Sequence, residues 1–153
     1  MKHSSSERTA TDLKAAQAAT EQQLKDVFAV RQEVFVREQG VPQDEEYDEH
    51  DSTASHVILY DGDTPIGAGR TRAVDNEIGK MERVCVLAPH RGSGAGKLIM
   101  AELEAAAKRK GLQKAKLHAQ THAEGFYKHL GYETVSDVFL EAGIPHVVMV
   151  KEL

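Results

Sequence analysis

Apolar positions along this chain fall into two periods. Between Glu21 and Val36, the residues Leu24, Val27, Phe28, Val30, Val34 and Phe35 recur at three- and four-residue spacing, which predicts an amphipathic helix. Thr20, with Gln23 three residues on, predicts a capping box at its start, and Gly40-Val41-Pro42 predicts its end. Ahead of it, Leu13–Ala18 reads as a weak strand whose alanines suit a helix equally well. From His56 the period shortens to two. His56–Tyr60, Pro65–Val74 and Ile78–Leu87 read as strands, separated by Asp61-Gly62-Asp63 and Asp75-Asn76-Glu77, whose composition suits tight turns. Together they predict an antiparallel meander. Gly67 and Gly69 inside the second strand mark a bend or a close backbone approach. The longer period returns over Gly94–Lys110, with Ile99, Leu103 and Ala106 on one face and Gly111 as a C-cap. Lys114–Gln120 alternates again, with Ala115, Leu117 and Ala119 to one side. A strand, a helix and a strand in that order predict a parallel pair. A short helix over Ala123–Leu130 and strands over Tyr132–Leu140 and His146–Lys151 complete an α+β plan around one mixed sheet.

Composition narrows the picture without naming a chemistry. The 153 residues suit one domain, placed at 13–153 behind a polar, frayed or disordered segment 1–12. Hydrophobic residues make up 41% and charged residues 28%, as in ordinary globular proteins. A net charge of −5 argues against nucleic acid as a partner. No apolar run is long enough to span a bilayer, and MKHSSSERTATD lacks the apolar centre of a signal peptide, so no membrane partner is expected. A single cysteine excludes an internal disulfide framework and suits the reducing cytoplasm. The acidic run Gln43–Asp51 reads as a solvated loop, or as a rim that attracts a cationic amine.

The chemistry concentrates between Lys80 and Met100, KMERVCVLAPHRGSGAGKLIM. A β-branched strand there runs through a glycine-rich turn into a helix. The first N–H groups of a helix have no internal partner, and the macrodipole adds partial positive charge. Glycines let backbone approach a phosphate closely, so the segment is an anion site suited to a phosphorylated cofactor. The motif of a triphosphate-binding loop does not fit, because Arg91 stands at its first glycine and Leu98 at its magnesium-binding hydroxyl, though a nucleotide held by the same turn stays open. A dinucleotide fingerprint fails because Lys97 occupies its last glycine. The pattern present is R-x-x-G-x-G, at Arg91, Gly94 and Gly96.

That loop resembles the pyrophosphate loop of the GNAT superfamily of N-acetyltransferases. A second stretch, Gln120-x-x-Ala123-x-x-Phe126-Tyr127-x-x-x-Gly131-Tyr132, resembles the same family's N-x-x-A-x-x-(aromatic or Leu)-Y-x-x-x-G-(F/Y). Gln120 keeps the amide of the usual Asn but moves it by a methylene. The runs Val34-Phe35-Val36-x-Glu38-Gln39-x-Val41-Pro42 and Ala142-Gly143-Ile144-Pro145-His146 are similar to the ElaA-like subgroup. The resemblance implies the GNAT acyl-CoA N-acyltransferase fold, a central mixed and splayed sheet of about six or seven strands with about four helices. It implies direct acetyl transfer from acetyl-CoA to a primary amine, without a metal. Backbone groups of Val84, Cys85 and Val86 would hold the pantetheine arm. Arg91, Gly92, Ser93, Gly94, Ala95, Gly96 and Lys97 would cradle the pyrophosphate, and the amide of Gln120 would contact the cofactor arm. Tyr127 would be the general acid for the departing thiolate, since a phenol with an ordinary pKa of about 10 is protonated at neutral pH.

The general base stays open between Glu82 on the central strand, His118 and water. Glu82 reads equally well as a salt-bridge partner of Arg70 or Arg72, and His118 as a sheet histidine. Cys85 reads as a buried structural thiol. His118, His122 and His129 have no companion ligands that would complete a metal site. The acceptor stays open among polyamines, amino sugars, amino acids and protein lysines. A homodimer is compatible with the edge strands of such a domain. The reading from another class is a non-catalytic acyl-CoA-binding sensor or scaffold of the same fold.

Overall fold

The computed structural model describes residues 12–153, so the frayed segment expected at the N-terminus lies outside the described residues except for Asp12. Strand β1, Leu13–Gln17, leads into α1, Glu21–Arg31, and then a π-helix, Gln32–Glu38. A short helix α2, Gln43–Glu46, and a 3₁₀ turn, Glu49–Ser52, precede the meander β2 (Ser55–Asp61), β3 (Thr64–Ala73) and β4 (Ile78–Val86). Next come α3, Ala95–Arg109, β5, Lys114–Gln120, and α4, Glu124–His129. The short strands β6, Glu133–Thr134, and β7, Phe139–Glu141, then lead to β8, Ile144–Glu152. The strands form one eight-stranded mixed sheet in the order β1-β2-β3-β4-β5-β8-β6, with β7 also paired to β8. Among the described residues, only β4 and β5 pair in parallel.

The helix starts and turns follow their local chemistry. Thr20 and Gln23 form the reciprocal capping box at α1. On one face of the sheet, α3 buries Ile99, Leu103 and Ala107 against Val57, Leu59, Leu117 and Met149. Full burial of side chains such as Ile99 and Leu103 stabilises the fold by about 1.5–3 kcal/mol each. The helix lies close to the sheet because β3 presents glycine there. A Cβ on Gly67 would meet Ile99 Cδ1 at 2.8 Å, and one on Gly69 would meet Leu103 Cδ1 at 2.9 Å. On the opposite face, Val27, Val30 and Val34 pack against Ile58, Ala68 and Cys85.

Three expectations are corrected. The helix expected to run to Val36 changes its hydrogen bonding after Arg31: Gln39 N–H donates to Val34 O, five residues back, at 3.0 Å. The single strand expected over Tyr132–Leu140 is two short ones, which brings the sheet to eight strands. The acidic run Gln43–Asp51 is not a solvated loop. Arg31, Arg70 and Glu46 are 0%, 1% and 2% exposed, and Glu46, Asp48 and Asp51 neutralise the two arginines. Arg31 Nε lies 2.8 Å from Glu46 Oε2 and its Nη1 2.7 Å from Asp51 Oδ1. Arg70 Nη1 lies 2.7 Å from Asp48 Oδ1 and 2.8 Å from Asp51 Oδ1. The run therefore folds over the α1 face as the carboxylate half of an ion-pair lattice.

Candidate active site

Strands β4 and β5 are hydrogen-bonded only from Ile78–Lys114 to Lys80–Lys116. Beyond that they part. The cause lies in β4, where Ala68 faces Cys85 but Arg70 faces Glu82, so Arg83 and Val84 together oppose Gly69. This is a bulge, and Arg83 adopts φ 57°, a left-handed conformation that a non-glycine residue takes only when its surroundings impose it. The guanidinium of Arg83 is tied to the chain opposite: Nη2 donates to Glu46 O at 3.2 Å, and Nε sits 3.3 Å from Glu46 Oε2. The parting strands open a cleft of about 690 Å³. Val84, Cys85 and Val86 form one wall, Leu117, Ala119 and Gln120 the other, and Val34 and Phe35 of the π-helix close over it.

The glycine turn follows directly on Arg91, which lines the cleft. Gly92 and Gly94 have φ 82° and 85°, and open space lies where a Cβ of either would stand. Gly94 is the N-cap of α3 and no side chain caps that end, so the N–H groups of Ala95, Gly96 and Lys97 are left for an outside acceptor. Gly96 has a different reason to be glycine: a Cβ there would come 3.1 Å from Phe126 Cζ, which ties the first turn of α3 to α4. Ser93 Oγ donates to His90 O at 2.6 Å and so serves the loop. An uncapped helix end behind two left-handed glycines fits a pyrophosphate. Lys97 is exposed beside it. Arg91 departs from expectation, because its guanidinium grips both oxygens of Glu38 at 2.7 and 2.8 Å while its Nε donates to Val86 O at 2.8 Å. It braces the loop against the π-helix.

The proposed proton-handling groups lie on different sides of the sheet. Tyr127 lines the cleft and packs with the α3-face core, its ring edge-on to Phe126 and Tyr132 at 5.0 and 5.9 Å. Burial raises its phenol above the ordinary value, and among the described residues its hydroxyl has no hydrogen-bond partner. A protonated hydroxyl directed at a cleft suits a proton donor. Phe126 is 41% exposed. Glu82 points to the α1 face with its strand partner Arg70. It is held by Arg72 Nε at 2.8 Å, Arg70 Nη2 at 3.0 Å and Lys80 Nζ at 3.3 Å. Burial pushes its carboxyl up, but the Arg72 hydrogen bond and the charges of Arg70 and Lys80 outweigh this and hold it at about 2. So weak a base is poorly matched to an amine. Burial drives the Cys85 thiol up to about 12, in keeping with a structural cysteine. Gln120 Oε1 accepts from His122 Nε2 at 2.8 Å.

One cleft residue, Glu141, carried no sequence signal of its own. Glu141 ends β7 and, with His146 near the start of β8, lines the cleft beside His118. The stretch Ala142–His146 stands out in the sequence, but a carboxylate placed beside it is legible only once the hairpin is folded. Among the described residues, no group of three or more His, Cys, Asp or Glu side chains is arranged to hold a metal ion. No described helix is long and apolar enough to cross a membrane.

Comparison with known proteins agrees with this geometry. The family model for the acetyltransferase (GNAT) domain matches residues 14–153. The uncharacterised N-acetyltransferase YjcF of Bacillus subtilis is 51% identical over 141 residues, covering 92% of this chain and 100% of the relative. The crystal structure of Escherichia coli ElaA superposes with a TM-score of 0.78 at 28% identity, covering 92% of this chain and 98% of that one. A GNAT family acetyltransferase from Elizabethkingia anophelis, solved with acetyl-CoA bound, shares the fold at a TM-score of 0.73 and 14% identity, covering 93% and 99%.

Proposed function

The chain belongs to the GNAT acetyltransferase family, and from that premise we propose that residues 13–153 form one N-acetyltransferase domain that moves an acetyl group from acetyl-CoA to a primary amine by direct transfer. The observation that carries this reading is the parting of β4 from β5 above the uncapped N-terminus of α3. An extended thioester needs a slot through which its arm passes and an anion site at the slot's mouth. Here one bulge and one glycine turn supply both. When bound, acetyl-CoA supplies an activated acyl carbon and a thiolate leaving group.

The protein's part is mainly placement. Ala95, Gly96 and Lys97 N–H groups bind the pyrophosphate, with the Lys97 side chain adding charge. Backbone groups of Val84 to Val86 on the edge where β4 has lost β5 align the arm and polarise the carbonyl. Holding both reactants in one slot removes much of the entropic barrier. Tyr127 gives its proton to the sulfur as the C–S bond breaks. The buried single thiol is in keeping with a cytoplasmic setting.

The test is calorimetric titration with acetyl-CoA, followed by thiol release with an amine panel. Tyr127→Phe should bind acetyl-CoA as the wild type does while turnover falls by about 10²–10⁴. The double change Arg91→Glu with Gly94→Asp should abolish binding. Unchanged turnover in Tyr127→Phe removes that residue's role. No binding at millimolar acetyl-CoA removes the transferase reading.

A further inference from the structure

We propose that His118, oriented by Glu141, is the group that takes the proton from the incoming amine. This rests on the acetyl-transfer reading above and assigns the step that Glu82 is unsuited to perform.

Cross-strand partners share a face of a sheet. Gln120 pairs with His146 and His118 with Val148, while Phe139 pairs with His146 across the next ladder. His118, Gln120, His146, Phe139 and Glu141 therefore face the same way. That is the face away from α3, because the alternate residues Ala115, Leu117 and Ala119 are buried with α3. Tyr127 packs into the α3-face core. An amine approaching from the α1 face meets His118, and a thiolate leaving toward α3 meets Tyr127. Acyl transfer passes through a tetrahedral intermediate in which the amine nitrogen and the sulfur are separate substituents, so the proton acceptor and the proton donor can act on them from different faces.

The hydrogen bonds then fix the tautomer. His118 Nδ1 lies 2.8 Å from Glu141 Oε1. An ionised carboxylate only accepts, so Nδ1 carries the hydrogen and Nε2 keeps its lone pair. Phe139 stands edge-on to the imidazole at 5.3 Å and fixes the ring plane. The other oxygen, Glu141 Oε2, lies 3.9 Å from His146 Nε2, and His146 Nδ1 is committed to Ile144 O at 2.7 Å. A tight turn at Ala142 and Gly143, with φ 52° and 77°, folds β7 back so that Glu141 reaches β5. The other charged or titratable groups facing the cleft are Lys80, Glu82 and Arg83 of β4, with Cys85, and Glu45 and Glu46 of α2. Arg91, His122 and Tyr127 complete them. Glu82 and Arg83 are spent on their ion pairs, as is Glu46. His118, with the Glu141 carboxylate at its Nδ1, presents Nε2 as the proton acceptor.

The step balances. The ammonium gives one proton to His118 Nε2, and the nitrogen lone pair forms the C–N bond. The C–S bond breaks with its electrons on sulfur, which takes the Tyr127 proton. Tyr127 recovers a proton from the second N–H of the former amine through water, and His118 releases its own to solvent.

One readout needs no acceptor. Nitrogen NMR of the free protein at neutral pH should show His118 as the Nδ1–H tautomer and should lose that preference in Glu141→Gln; an Nε2–H tautomer in the wild type overturns the proposal. In turnover, His118→Gln should lower kcat/KM by about a hundredfold and abolish its acidic limb, with acetyl-CoA binding unchanged. Glu141→Gln should lower kcat/KM by about tenfold, because the imidazole loses the carboxylate that holds its tautomer, while Glu141→Asp should recover part of that loss. A His118→Gln enzyme within about threefold of wild type, or a limb that moves only in Glu82→Gln, overturns the base assignment alone. Failure of the wild type to bind acetyl-CoA removes the transferase reading and this assignment with it.

Discussion

The two walls of the cleft are made of the same kinds of residue and use them in opposite ways. On the β4 side the charges are spent. Glu82 answers to Arg70, Arg72 and Lys80, and Arg83 is shared between Glu46 and Asp48. Behind them Arg31 is shared between Glu46 and Asp51. On the β5–β8 side His118 and His122 each make one short hydrogen bond and keep a nitrogen in reserve: His118 with Glu141 and His122 with Gln120, both at 2.8 Å. The first wall is a frame. Its charges hold the bulge of β4 and the fold of the acidic run over α1. The second wall has valence left for a substrate. Burial and depressed carboxyls mark the frame, because a carboxyl held far below its ordinary value is one whose partners are complete.

The comparison breaks most visibly at Arg31. Arg31→Ala leaves Glu46 buried without its main partner and should cost about 3–5 kcal/mol in denaturant unfolding. Arg31→Met with Glu46→Leu should recover much of that, because a packed apolar pair avoids the desolvation of two ions. A single change that unfolds like wild type would show that the lattice is not a frame. Acid gives the next effect. The Glu82 carboxyl is held at about 2 against an ordinary 4.5, so its contribution is full above pH 4.5 and is lost as pH falls toward 2. Discounted for solvent screening, that difference corresponds to about 2–3 kcal/mol, and Glu82→Gln should flatten the acid limb of a stability profile in that window. Asp48 and Asp51, also depressed, act in the same direction, while Glu46, raised by burial, opposes them. The smallest effect belongs to Glu38. Its pair with Arg91 is solvent-exposed, so Glu38→Gln should barely move the denaturant midpoint, and raised salt should erase any difference from wild type.

Much of the frame was legible because it obeys local rules. The Thr20–Gln23 capping box, the β2-β3-β4 meander, the parallel crossover to β5 and the glycine turn ahead of α3 each follow from spacing within a few residues. The glycines of β3 marked a close approach, and α3 is the element that approaches. Long-range pairings were not legible. Glu46 and Arg31 are fifteen positions apart, and Arg70 and Asp48 twenty-two, so nothing local distinguishes the lattice from a solvated acidic loop. The catalytic candidates divide the same way. Tyr127 sits in a motif, whereas Glu141 reaches His118 only through the β7–β8 hairpin, from twenty-three positions away. The expected strand over Tyr132–Leu140 breaks because Val135 N–H still donates to Val148 O while Ser136 accepts from Val148 N–H through its side chain, so backbone pairing lapses between β6 and β7.

The wider hydrogen-bond ring of Gln32–Glu38 has a consequence for how the cleft can change over generations. A π turn holds one residue more than an α turn. Deleting one residue there would let the segment relax into an ordinary helix, and each residue removed turns the rest of the helix by about 100°. Val34 and Phe35 would swing off the cleft, and the glycine turn would lose the brace that Glu38 gives Arg91, while both sheet walls stayed as they are. A single-codon change in length would thus reshape one side of the cleft while leaving its two sheet walls in place. Relatives that differ by one residue in this segment should differ in the amines they accept more than in how they hold the acyl donor.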